Sequence, residues 1–303
     1  MTTTLPPLVS ADWLASELGA PDLLILDATL FLPAHARDAR AEYEAAHIPG
    51  AVHMDLKRFQ PLPEQEPLRA MLAELGAGEG VRAVVYDDSP LRSAARGWWL
   101  LRHAGFEAAV LDGGLAKWTS EGRQVDPPRD GEGDHRPQAD GGGGASPARH
   151  LTNEHSIGVG APSTTGLRPA VPLPVPGRIS KHDLLTTNAQ IVDARSGPRF
   201  RGEEPEPRPE VAPGHIPGSR NTPFYRLFRP DGTFKSSAEL RGVLEDAGVD
   251  PSQPMVATCG SGVTACNFIL ATALLGNDQV RLYDGSWAEW GADPSTPKAL
   301  GPA

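Results

Sequence analysis

The strongest constraint on the fold is an internal duplication. The first half carries Leu23-Leu-Ile-Leu-Asp27-Ala, then His47-Ile-Pro-Gly50-Ala, then Ala83-Val-Val-Tyr-Asp87, then Leu111-Asp-Gly-Gly114-Leu-Ala-Lys-Trp118. The second half follows in the same order with Ala189-Gln-Ile-Val-Asp193-Ala, His215-Ile-Pro-Gly218-Ser, Met255-Val-Ala-Thr258 and Leu282-Tyr-Asp-Gly285-Ser-Trp-Ala-Glu-Trp290. The offset between the copies runs from 166 residues (Asp27 to Asp193) to 172 (Asp112 to Asp284). A period this long marks a domain-sized unit, not a solenoid repeat. A chain of 303 residues has room for two such units. Between them, residues 123–178 are rich in Gly, Pro, Ser and Asp, including Gly141-Gly-Gly-Gly144 and Pro172-Leu-Pro-Val-Pro-Gly177. That stretch is too long for an ordinary connection within one domain and reads as a partly disordered linker. The expected organisation is a first domain over 1–122, a linker over 123–178 and a second domain over 179–303.

Within each copy, short apolar runs alternate with helical patterns. Ser10 to Leu18 reads as a capped helix, with Trp13, Leu14 and Leu18 at helical spacing. Leu23 to Leu26 reads as a buried strand. Pro67 to Leu75 and Ser93 to Ala104 read as helices, the second stopped by Gly105. The alternation predicts an α/β fold in two tandem domains, each a mostly parallel sheet flanked by helices. Such sheets bind ligands beyond the carboxyl ends of their strands.

One cysteine falls at that kind of strand end. In Met255-Val-Ala-Thr-Cys259-Gly-Ser-Gly-Val-Thr264 an apolar run ends in Cys259, and a loop follows. The apolar segment Asn267 to Leu275 then reads as a helix. Loop amides and the positive helix terminus favour thiolate over thiol, and the thiolate is the nucleophile. Gly260 and Gly262 let the backbone approach a ligand closely. The first copy carries Asp88 as the counterpart of Cys259, so one unit has a thiol and the other does not. Cys266, seven residues on, falls on the apolar helix and reads as inert. A phosphatase loop of this kind needs Arg six residues after the Cys. Ala265 stands there, which excludes that chemistry.

Net charge of −10 argues against a nucleic-acid partner. No apolar run approaches the ~20 residues of a membrane span. The N-terminus lacks signal-peptide character, so a reducing cytoplasm is the expected location. No Cys/His cluster has metal-ligand spacing. His47 and His215 read as structural, with a ring nitrogen on nearby backbone. Asp27 and Asp193 read as anchors for the loops after their strands. Trp98, Trp99, Trp118, Trp287 and Trp290 read as packing residues, with Trp287 also placed to edge the active cleft.

Taken together, the duplicated Asp-Ala and His-Ile-Pro-Gly units, the Arg96-Gly-Trp-Trp-Leu-Leu-Arg102 segment, the Asp-Gly-Gly/Ser endings and the Cys259 loop resemble the tandem-domain rhodanese-family sulfurtransferases. Those that act on 3-mercaptopyruvate are the nearest. The resemblance implies a catalytically silent first domain and a second domain that carries sulfur as a persulfide on Cys259. The donor would be 3-mercaptopyruvate or thiosulfate. The acceptor would be thioredoxin, a low-molecular-weight thiol or cyanide. No cofactor is implied. The active-site loop is Gly260, Ser261, Gly262, Val263 and Thr264. Ser261, where thiosulfate-preferring relatives carry basic residues, is expected to act with Cys259 by hydrogen-bonding the developing enolate or the thiol of a ketoacid. Arg199 and Arg208 are expected to bind the donor carboxylate, which a guanidinium recognises in bidentate fashion. The chain departs from the pattern where an Asp and a His of the first domain would face the loop serine. Lys57 and Gln60 stand there. That leaves Ser261 without an evident base and keeps two alternatives open, a thiosulfate-preferring enzyme and a non-catalytic sulfur carrier.

Overall fold

The structure, a computed structural model, describes residues 5–126 and 177–303; most of the expected linker, 127–176, lies outside the described residues. The first domain runs β1 (Leu8–Val9), α1 (Ala11–Glu17), β2 (Leu23–Asp27), α2 (Ala39–Ala45), β3 (Val52–His53), α3 (Gln65–Glu74), β4 (Arg82–Tyr86), α4 (Ala94–His103), β5 (Glu107–Leu111) and α5 (Gly114–Ser120). The second runs α6 (Lys181–Leu184), β6 (Gln190–Asp193), α7 (Gly197–Arg201), β7 (Arg220–Asn221), α8 (Ser237–Asp246), β8 (Met255–Thr258), α9 (Ala265–Leu274), β9 (Val280–Leu282) and α10 (Ser286–Trp290). The sheets order as β1-β5-β4-β2-β3 and β7-β6-β8-β9, and every ladder is parallel. The duplication is thus visible in topology: β2, β3, β4 and β5 correspond to β6, β7, β8 and β9. Pairing at the edges of the expected linker extends the domains slightly. Asp126 bridges His47, and Arg178 bridges Leu282.

Strands buried on both faces read as unbroken apolar runs, because helices cover each side of a parallel sheet. Side-chain alternation then sorts each strand between two cores. Val84 and Tyr86 face a core with Leu14, Ile25 and Trp118, whereas Ala83 and Val85 face the opposite side with Trp98, Leu100 and Met54. In β8, Val256 joins Tyr283, Trp287 and Trp290. Met255, Ala257 and Cys259 face the other way, into a core that also holds first-domain residues. The two domains therefore share one continuous apolar cluster, and period-two alternation aims Cys259 towards it. All five tryptophans named above are at most 2% exposed.

Local signals explain the element ends. The Ser10 hydroxyl accepts from Trp13 N at 3.1 Å and starts α1. Ser236 and Glu239 close a reciprocal capping box on α8. α9 begins two residues before its expected start, since Ala265 and Cys266 already form its first turn. His47 Nδ1 bonds the Tyr43 carbonyl and His215 Nδ1 the Phe200 carbonyl, each at 2.8 Å. Both histidines are structural.

Register corrects the pairing of the copies. Asp27 lies opposite Tyr86, and Asp193 lies opposite Thr258. The residue after each is Asp87 in the first domain and Cys259 in the second, so Asp87, not Asp88, occupies the cysteine's place. The offset arises because the first loop is one residue longer: 88–93 separates Asp87 from α4, and 260–264 separates Cys259 from α9.

Candidate active site

Cys259 stands one residue past β8 and is 1% exposed. Its carbonyl accepts from Trp287 N at 2.9 Å, and the Gly260 carbonyl accepts from Ala288 N at 3.0 Å. The loop is thus tied at its start to the first turn of α10. At the centre of that tie lies Ser286, which sequence reasoning passed over. Its Oγ accepts from Cys259 N at 3.1 Å and Gly262 N at 3.0 Å, donates to the Tyr283 carbonyl at 2.8 Å, and lies 4.0 Å from Cys259 Sγ. One hydroxyl supplies one donor and two acceptors, so Ser286 is fully used. Its φ is +50°, uncommon for a residue with a side chain, and the bonded hydroxyl offsets that cost. The signal was present in the repeat: position 114 in the first copy is Gly, and position 286 in the second is Ser.

Two of the amides expected to face the sulfur are therefore committed to Ser286. The N–H groups of Gly260, Ser261, Val263 and Thr264 have no backbone or side-chain acceptor among the described residues. They remain open to an anion. Gly262 makes the turn at φ +75°, where a methyl group would come within 2.8 Å of both the carbonyl and carboxylate oxygens of Asp284. The Ser261 hydroxyl has no bonded partner among the described residues.

First-domain residues reach the loop from the other side. Gln60 Nε2 lies 3.5 Å from the Ser261 carbonyl, so the residue in place of the expected His meets the loop through an amide. Lys57 is exposed, and Arg58 pairs with Glu74 at 3.1 Å. His53 lies against Tyr43, ring centroids 5.3 Å apart, and burial pulls its pKa down. None of these supplies Ser261 with a base. Arg96, from α4, is buried, points Nη1 at the Gly262 carbonyl from 3.5 Å and holds Nη2 2.7 Å from Asp284 Oδ1.

The arginines of the segment after β6 take distinct roles. Arg195 is buried, chelates Asp193 through Nε and Nη2, and lies over the Trp287 ring at 4.6 Å. Its Nη1 bonds Glu206 Oε1 at 2.7 Å. Glu206 in turn holds Arg199 Nη2 at 2.5 Å through its other oxygen. Arg199 is delivered to the loop by this chain of charges: a methyl group on Gly260 would lie 3.2 Å from its Nη2. Arg208 is exposed and has no side-chain partner among the described residues. Asp193, Arg195, Glu206 and Arg199 sum to zero charge, and Arg201 pairs with Glu203, so among the described residues Arg208 is the arginine of this segment left without an ion pair. Trp287 does not edge a cleft; it is 1% exposed beneath Arg195.

Cys266 lies on α9, fully buried, and donates from Sγ to the Gly262 carbonyl at 3.3 Å. Burial pushes its thiol up to about 12, which keeps it protonated. Both cysteines are free. Among the described residues no cluster of His, Cys, Asp or Glu has the makings of a metal site, and no helix is long and apolar enough to cross a membrane.

Known proteins resemble the chain along nearly all of its length. It is 40% identical to the human 3-mercaptopyruvate sulfurtransferase, covering 93% of this chain and 91% of that one. It is 35% identical to the Escherichia coli (strain K12) 3-mercaptopyruvate sulfurtransferase, covering 95% and 96%. A plant relative from Arabidopsis thaliana, 36% identical over 97% of this chain and 78% of its own, carries thiosulfate and 3-mercaptopyruvate together in its name. The crystal structure of SseA from Escherichia coli, a 3-mercaptopyruvate sulfotransferase, matches with a TM-score of 0.69 at 31% identity, over 93% of this chain and 99% of that one. The rhodanese-like domain model matches residues 10–121 and again 180–293, and the chain belongs to that family, in two tandem copies.

Proposed function

We propose that the chain is a sulfurtransferase that takes sulfur from 3-mercaptopyruvate, carries it as a persulfide on Cys259 and passes it to a thiol or to cyanide. The observation that carries this reading is the arrangement around Gly260: the nucleophile precedes it, and the Arg199 guanidinium lies against it. A ketoacid held by its carboxylate on Arg199 and Arg208 would set its sulfur at Cys259. The Cys259 thiolate attacks that sulfur. The carbon–sulfur bond breaks, and its electron pair passes to the carbon and into the adjacent ketone as an enolate. Protonation of the enolate gives pyruvate, and Cys259 keeps the outer sulfur. An acceptor thiolate then attacks that sulfur, the sulfur–sulfur bond breaks, and its pair returns to Cys259. Two easier displacements replace one difficult transfer. The open amides of the loop stabilise the anion at each stage.

Ser261 brings a hydroxyl into the loop two residues past the nucleophile, and it is free to hydrogen-bond the enolate oxygen. With Gln60 in place of an acid or base, the proton comes from solvent. Near-neutral charge around Arg199 favours a monoanionic ketoacid over the dianion thiosulfate. The first domain, with Asp87 in the place of the nucleophile, is silent in this scheme. Two free, buried cysteines support a reducing compartment such as the cytoplasm, where thioredoxin or small thiols serve as acceptors. The test is the intact mass after exposure to mercaptopyruvate. The wild-type chain gains one sulfur atom and Cys259→Ser gains none; a wild-type chain that gains nothing from either donor overturns the reading.

A further inference from the structure

Helices α4 and α9 pack against each other where the domains meet. The third residue of each is polar and reaches across to the other domain's loop. Asn267, third in α9, donates from Nδ2 to the Leu91 carbonyl at 3.1 Å. Arg96, third in α4, directs Nη1 at the Gly262 carbonyl. The two contacts are counterparts under the duplication, but only the second carries a charge and only the second meets the loop with the thiol.

Arg96 is 1% exposed. A buried cation is costly unless paired. Desolvation works against its charge, and Asp284 together with the Cys266 sulfur outweighs it, so the guanidinium stays charged. Its Cζ also lies 5.2 Å from the centroid of the Trp99 ring. Such a group is fixed, and so is what it holds. The Gly262 carbonyl receives it on one side and the Cys266 thiol on the other. The following peptide is trans, so the Val263 N–H points opposite to that carbonyl. That N–H has no acceptor among the described residues.

We propose that Arg96 is a positioning residue of the sulfur-carrying loop: by holding the Gly262 carbonyl towards the first domain, it fixes the Val263 N–H as a donor to the anionic sulfur of Cys259. The inference rests on the sulfur-transfer reading above and gives the silent domain a part in it. Hydrogen bonding to a charged form favours that form. The charged or titratable groups that face the loop are Arg96 of α4, Cys266 of α9, Asp284 before α10, and Arg199 of α7 with Glu206 behind it.

The experiment is the pH profile of Cys259 alkylation by iodoacetamide in the full chain, read by peptide mass. The variant is Arg96→Met combined with Asp284→Asn, which leaves no unpaired charge buried. The expected result is a midpoint about one pH unit higher, with kcat about tenfold lower and the mercaptopyruvate KM little changed. Arg96→Lys alone restores part of the shift. A role in packing alone would lower the melting temperature and leave the midpoint where it was; that result in the folded double variant overturns the proposal. Should the double variant not fold, Cys266→Ala removes the second donor to the same carbonyl. A smaller rise is then expected, and an unmoved midpoint overturns the proposal. Failure of the sulfur-transfer reading looks different, because the wild-type chain itself would then gain no sulfur.

Discussion

Asp87 and Cys259 hold the same position in their domains, each one residue beyond the last paired residue of its central strand, with its carbonyl bonded to the amide of Leu115 or Trp287. The first domain puts a carboxylate where the second has a thiol. Asp87 takes the Ser89 and Ala94 amides directly, at 3.1 and 2.5 Å. In the second domain the Ser286 hydroxyl takes the corresponding load, and the remaining amides stay open. Gly114, at φ +60°, has no hydroxyl to offer in the first domain.

Asp87 should leave a mark on stability as a function of pH. Burial pushes its carboxyl up to about 6 against an ordinary 3.8, while the two amides pull the other way. Between those values the folded chain holds a proton that the unfolded chain has lost. Its stabilising contribution is therefore full below pH ~4 and lost as pH rises through ~6, by roughly 1–3 kcal/mol. Asn does not titrate. Melting temperatures of wild type and Asp87→Asn measured from pH 4 to 7 are expected to shift in favour of the variant as pH rises; parallel curves would count against this account.

Ser286→Ala leaves the Cys259 and Gly262 amides without their acceptor. Each buried, unsatisfied donor costs ~1–3 kcal/mol. The variant is expected to lose stability of that order in urea unfolding and to lose kcat more than donor affinity, because the loop and not the arginine segment is disturbed. Wild-type turnover in a destabilised Ser286→Ala would show the hydroxyl to be structural only.

Arg199→Ala removes the guanidinium that lies against Gly260. Charge-assisted hydrogen bonds contribute ~1.5–3 kcal/mol, so the mercaptopyruvate KM should rise roughly 10- to 100-fold. Steady-state kinetics decide it. Arg208→Ala should act in the same direction, and an unchanged KM there would remove Arg208 from the donor site.

Glu206→Gln keeps the shape of the bridge between Arg195 and Arg199 but adds a net positive charge to the cluster. The ratio of thiosulfate to mercaptopyruvate turnover is expected to rise, since a dianion gains more from the extra charge. A fixed ratio would mean that Glu206 serves geometry alone.

Much of this was legible in the chain. Repeated motifs announced two domains, apolar runs named the strands, and a cysteine at a strand end before a Gly-rich loop marked the candidate nucleophile. Arg199 was expected from the family motif, and the structure sets it against Gly260. What escaped was carried by distance along the chain. Arg96 meets Gly262 across 166 residues, and Ser286 meets Cys259 across 27. Neither partner lies in the other's motif. The Asp88 pairing failed for a local reason: a loop one residue longer shifts any alignment anchored on its helix, and only the strand ladder fixes the count. Glu206 looked like one solvated acid among several, because burial is not written in composition.

The shared core has one more consequence. Residues from both domains interlock in a single apolar cluster, so unfolding either half would strip cover from the interior of the other. Heating should produce one calorimetric transition for the pair. Two halves expressed as separate chains should still elute together, because what joins them is the sheet-and-helix interior.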